Sequence, residues 1–221
     1  MKLTWLGQAG YKIITDGTTL LIDPYFSDSA ASIACHRRQP VDRSVWDIKP
    51  DIILITHDHI DHNDSETLPH FINENTSATV LSPHSVRLKL LEYNGSHNLV
   101  EVSEGVVWTH KNTVIKTVSA KHSDPFAVGY IIESEGKCVY ITGDTLYCPK
   151  LLSDIKNIDV VILPINGRGN NMNSADASKF AESVGANLAI PMHFGMLDNV
   201  DPKIFNYKNT FIPEIYREFE L

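Results

Sequence analysis

D-I-I-L-I-T-H-D-H-I-D-H-N, residues 51–63, joins two kinds of sequence. Asp51 to Thr56 is a run of aliphatic, mostly β-branched residues, the pattern of a strand buried on both faces. At its C-terminal end stand His57, His59, Asp61 and His62. Alternate residues of an extended chain share a side, so His57, His59 and Asp61 begin on one face, and His62 joins them when the chain turns. Neutral imidazole and carboxylate suit zinc, iron or manganese. A solvated loop holds two histidines by chance; four such groups directly after a buried strand point to a metal centre.

On the N-terminal side, 2–6, 11–15 and 19–22 read as short strands, with Asp16-Gly17 as a turn. Residues 23–50 read as a long loop near the site. On the C-terminal side the pattern gives a short helix over 65–73 and a strand at 78–81. A helix capped by Ser82 then runs to about Tyr93, stopped by Asn94-Gly95. Strands follow at 99–102, 106–109, 113–119, 127–134 and 137–142. A helix around 147–156 precedes a strand at 159–163. Ser174 caps a helix to Val184, 188–191 is the last core strand, and a helix near 213–219 covers an edge. The order is β-rich, βαβ, β-rich, βαβ. It implies an α+β, αββα sandwich: two facing mixed β-sheets with helices on the outer faces. No repeat or linker divides the chain, so 1–221 reads as a single domain.

Residues 57–62 match H-x-H-x-D-H, and the chain resembles the metallo-β-lactamase-fold hydrolases. The resemblance extends to His122 in S-A-K-H-S, Asp144 in V-Y-I-T-G-D-T and His193 in A-I-P-M-H-F. It implies one metal held by His57, His59 and His122, a second held by Asp61, His62 and His193, and Asp144 as a bridge. One or two divalent ions (zinc, manganese or iron) are then the cofactors. Asp61 and His62 are the catalytic pair, with Asp61 orienting the attacking water and accepting its proton. W-L-G-Q-A-G at 5–10, L-I-D-P at 21–24, K-H-S-D-P-F-A-V-G-Y at 121–130 and L-P-I-N-G-R at 163–168 are similar to the L-ascorbate-6-phosphate lactonase-like group. That group usually carries His where Gln8 stands, and Gln8 cannot titrate. The resemblance implies hydrolysis, by metal-activated water, of a small anionic ester or lactone. The alternative is a phosphodiesterase acting on a nucleotide or RNA end. A di-iron redox protein fits less well, because its motif has a carboxylate where this chain has His59.

Asp23, at the end of the third strand, reads equally as a carboxylate that orients a ligand histidine and as a simple Asp-Pro turn. In P-I-N-G-R-G-N-N, Asn166 and Arg168 read as the holders of an anionic group. Tyr25 and Phe26 are packed or pocket-lining. Lys121 and Ser123 are scaffold, Cys148 is an inert thiol, and His36, His70, His84, His97 and His110 are ordinary. The chain has 221 residues, 19 Lys plus Arg against 27 Asp plus Glu, and a net charge of −8, which lacks the basic footprint of a general nucleic-acid binder. No apolar run reaches the roughly 20 residues of a membrane span. Three widely spaced cysteines give no disulfide framework and suit a reducing cytoplasm. The expected partner is a small-molecule substrate, without nucleic acid or membrane, in a chain able to form a homo-oligomer.

Overall fold

A computed structural model of the chain describes residues 1–73, 76–93 and 98–221. Short turns begin the fold. Asp16 and Gly17 both take positive φ, +47° and +63°, as a two-residue hairpin turn of the favoured twist requires. This turn joins β2 (Gly10–Thr15) to β3 (Thr18–Ile22), and β1 (Lys2–Gly7) pairs antiparallel on the far side of β2. Pairing then becomes parallel through β4 (Ile52–Leu54), β5 (Thr79–Ser82) and β6 (Asn98–Glu101).

The second sheet repeats the plan. β7 (Val107–His110), β8 (Thr113–Ser119), β9 (Val128–Ser134) and β10 (Lys137–Ile141) are antiparallel neighbours, and β11 (Val160–Pro164) and β12 (Leu188–Met192) continue in parallel. The first sheet has seven strands in the order β13-β1-β2-β3-β4-β5-β6 and the second six, β12-β11-β10-β9-β8-β7.

Strand alternation decides which layer each residue fills. Leu20, Ile22, Ile52 and Leu54 join Ile115, Tyr130, Ile132 and Ile141 in the core between the sheets. Leu21, Ile53 and Ile55 point the other way, into a second cluster with Phe71, Val86 and Leu90 beneath α1 (Leu68–Phe71) and α2 (His84–Leu90). The aliphatic run after Asp51 is thus buried on both faces because it packs in both layers. On the second sheet, α3 (Ser174–Ser183) covers β11, with Phe180 against Tyr140 at 5.7 Å between ring centroids.

The strands fall within a residue or two of their expected positions, and the helices are shorter. Residues 65–73 contain a single helical turn, because the Asp64 carboxylate ties down Ser27 and Thr67 and holds 64–67 in a turn. Ser82 ends β5, and Pro83 stands at the N-cap position of α2. The Asn94-Gly95 stop and His97 lie outside the described residues. The helix expected at 147–156 is a 3-10 turn, Pro149–Leu152. Asn173 rather than Ser174 caps α3, accepting the Asp176 N–H at 3.0 Å. The helix expected near 213–219 is corrected to a strand: β13 (Glu218–Glu220) pairs antiparallel with Lys2–Thr4, and Glu218 meets Lys2 at 3.2 Å. It still covers the β1 edge.

Candidate metal centre

Antiparallel pairing through β2 makes β1 run with β3 and β4; pairing through β9 makes β8 run with β10, β11 and β12. The carboxyl ends of these strands open on one rim, where parallel folds place their sites. Gln8 follows β1, Asp23 follows β3, His57 lies just beyond β4, and His122 follows β8. Asp144, Asn166 and His193 follow β10, β11 and β12. Gln8, Asp23 and His193 turn out of their strands with φ of +52°, +40° and +60°. Non-glycine residues hold that conformation only where their surroundings enforce it.

Beyond Thr56 the chain folds back on itself, with the His62 and Asn63 N–H groups both donating to the His59 carbonyl at 3.0 and 2.7 Å. Ligand-capable atoms of His57, His59, His122 and Asp144 lie within 4.8 Å of one another, and those of Asp61, His62 and His193 form a second such group. Asp144 reaches both: its Oδ2 is 3.9 Å from His57 Nε2, and its Oδ1 is 3.4 Å from His62 Nε2 and 3.0 Å from His193 Nε2.

Asp23, fully buried, organises the lower layer. It accepts the Thr56 N–H at 2.8 Å, the Thr56 hydroxyl at 2.6 Å and His62 Nδ1–H at 2.8 Å. Because the Thr56 hydroxyl donates to Asp23, it can only accept from His57 Nδ1, 3.0 Å away. Both imidazoles therefore carry their proton on Nδ1 and aim the Nε2 lone pair at the rim. Among the described residues, His57 Nε2 is buried without a hydrogen-bond partner, and so is Asp144 Oδ1. Unpaired buried acceptors facing one point are costly unless a cation fills it, so these residues fit a divalent metal.

The electrostatics favour the neutral ring at His57, whereas the carboxylates around His62 and His193 favour their charged forms. Burial, aided by the His62 ring, pushes the His57 pKa well below the usual imidazole value. Burial also opposes charge on His62 and His193, but Asp144 with Asp23 and Asp61 raises the first, and Asp144 with Asp61 raises the second. Asp144 resists burial through His193 and His62 and stays well below the usual carboxylate range.

Gln8 takes a hydrogen-bonding place without titrating. Its amide donates to Asp61 Oδ2 at 2.7 Å and lies 2.9 Å from His193 Nδ1, while its backbone carbonyl accepts from the Trp5 indole and the His193 N–H, each at 3.1 Å. Asn166, expected to face substrate, also stands 3.1 Å from His193 Nδ1. His122 is the outlier among the histidines: its Nε2 faces the Gly169 carbonyl at 3.1 Å and its Nδ1 accepts the Asp124 N–H at 3.3 Å. Ligation by His122 requires one of these bonds to be given up. Two residues went unread in the sequence. Asn171 donates to Asp144 Oδ2 at 2.8 Å, and Asp124 accepts from Asp58 N–H at 2.9 Å and Ser85 Oγ at 2.6 Å. The neighbouring motifs N-G-R-G-N-N and H-S-D-P were the available signals.

Tyr25 and Phe26 are core residues, Phe26 packing edge-on against Trp46 and Phe71. Arg37 binds the Tyr25 carbonyl at 2.7 Å and the Tyr216 hydroxyl at 2.9 Å. Above the rim lies a cleft of about 420 Å³, lined by Asp61, Asp144 and His193 together with Asn166 and Arg168. The Arg168 guanidinium makes no ion pair among the described residues.

Two facing mixed sheets with a histidine–aspartate rim define a metallo-β-lactamase fold. The β-lactamase superfamily domain matches residues 2–193. A UPF0173 metal-dependent hydrolase of Listeria innocua is 30% identical, over 97% of this chain and 92% of that protein. Another, from Methanopyrus kandleri, is 29% identical over 93% and 90%. The chain belongs to the β-lactamase superfamily and, within it, to the UPF0173 metal-dependent hydrolases. Igni18, a metallo hydrolase of Ignicoccus hospitalis, shares the fold with a TM-score of 0.77 at 23% identity, covering 100% of this chain and 98% of that one.

Proposed function

We propose that this metal-dependent hydrolase acts on a small anionic ester or lactone, in keeping with its likeness to the lactonase-like group. His57, His59 and His122 would hold one cation, Asp61, His62 and His193 a second, with Asp144 between them. Such ions supply Lewis acidity and lower the pKa of water to about 7. Asp61, fixed by the Gln8 amide at 2.7 Å, orients the attacking water and takes its proton. Arg168 draws in the substrate's anionic group by paired N–H donors. The observation that carries the reading is the buried, unpartnered His57 Nε2 aimed into the rim. Zinc, manganese and iron all suit this sulfur-free donor set.

The test is elemental analysis of protein purified without added metal, then a panel of anionic and neutral lactones, esters and phosphodiesters. Bound metal with turnover of anionic esters or lactones is expected, and Arg168→Ala should raise KM for those far more than for neutral ones. Preference for phosphodiesters would transfer the assignment to nucleotide chemistry.

A further inference from the structure

The cleft above the rim is not uniformly polar. Ala30, Ile33 and Cys35 contribute to its lining from one segment, and Ile60 and Leu197 from two others. Ile33 is 64% exposed and stands on the lining of this cleft, so its side chain is open to whatever occupies it.

The segment that carries Ile33 is braced rather than loose. It is a 3-10 turn, Ser29–Ile33, closed by Ala34 in the left-handed conformation at φ +61°. Cys35 N–H returns to the Ala30 carbonyl at 3.0 Å. Asp28 accepts the Arg37 N–H at 2.6 Å, and the Arg37 guanidinium holds the Tyr25 and Gln39 carbonyls at 2.7 and 2.8 Å. Arg38 N–H donates to the Met196 carbonyl at 2.9 Å, which fastens this segment to the loop bearing Leu197. The aliphatic side chains are thus set in place before any ligand arrives, so little ordering cost attaches to using them.

Resting on the hydrolase reading above, we infer that Ile33, with Cys35, Ile60 and Leu197, forms a specificity wall for a short saturated hydrocarbon chain of the substrate. Together with Arg168, which makes no ion pair among the described residues, the wall defines an amphipathic substrate class: an ester or lactone bearing both an anionic group and a short alkyl chain. Ile33 is the specificity-determining residue, because it is the most exposed aliphatic side chain in the lining and supports no core cluster.

The test is calorimetric binding of acetate, butyrate and hexanoate to metal-loaded protein. Affinity should rise by about fourfold per methylene as the chain covers the wall. Ile33→Ser should flatten that rise to about half its slope on a logarithmic scale, and Ile33→Leu should restore it. Because Ile33 is exposed, neither change threatens folding. A flat series in the wild type, or an unchanged slope in Ile33→Ser, overturns the wall. A preserved slope in protein that turns over no ester or lactone supports the wall while refuting the parent reading, so the two failures are separable.

Discussion

Asp23 shows how one buried carboxylate can set two metal-facing rings. It fixes His62 directly and His57 through the Thr56 hydroxyl. Replacing it with asparagine puts an amide N–H among three donors that all need an acceptor. Asp23→Asn should therefore weaken metal binding by about 10–100-fold while the fold persists, as measured by chelator competition. Asp23→Ala leaves those donors unpaired in a dry site and should cost about 2–4 kcal/mol in denaturant unfolding. Wild-type metal affinity in Asp23→Asn would remove the carboxylate from this role. The residue was legible beforehand because it ends a strand at L-I-D-P, and strand ends are where groups from separate strands can meet.

At the scale of elements, β1 to β12 and α3 were legible, while α1 and α2 are shorter than expected and the segments at 147–156 and 213–219 are not α-helices. Period-two alternation marked β1 to β12 because each strand must sort its side chains between two layers. The C-terminal segment misled because Ile215 and Phe219 stand four apart, a helical spacing, yet both are half-buried against the main core, Ile215 from a turn and Phe219 from β13. Asp124 had no periodic signal at all. It gains its meaning only when three segments meet: its carboxylate joins Asp58 in the histidine loop, Ser85 at the start of α2, and Phe126 in its own loop. Burial raises the Asp124 pKa, but the Ser85 hydroxyl and the Phe126 and Asp58 N–H groups overcome this and hold it below the usual carboxylate range. A carboxylate whose folded pKa lies below its unfolded value stabilises the fold above the unfolded value, about 3.9, and that stabilisation fades as pH falls through the folded value. Half-exposed as it is, its bonds are worth about 1–2 kcal/mol. Asp124→Ala should lower unfolding free energy by that amount at pH 7, and the gap from wild type should be smaller at about pH 3. A gap of equal size at both pH values would show that the effect comes from packing rather than from charge.

Over the whole molecule, the candidate ligands divide between the two sheets. His57, His59, Asp61 and His62 hang from the first sheet; His122, Asp144 and His193 hang from the second. A cation held by both groups acts as a cross-link that exists only in the folded state, because the unfolded chain scatters these residues over more than a hundred positions. Ligand linkage then sets the scale: free metal at about 100 times its dissociation constant adds about 2.7 kcal/mol. For a chain of this length each kcal/mol moves Tm by about 2–4 °C. Chelation should therefore lower Tm by about 5–11 °C, and readdition of one divalent metal should restore it. Asp144→Ala, which removes the group that reaches both sets, should abolish most of that metal-dependent shift, as read by calorimetry with and without chelator. If the shift survives in Asp144→Ala, His122 and His193 alone suffice to tie the second sheet to the first-sheet ligands, and Asp144 is not the group on which the cross-link depends.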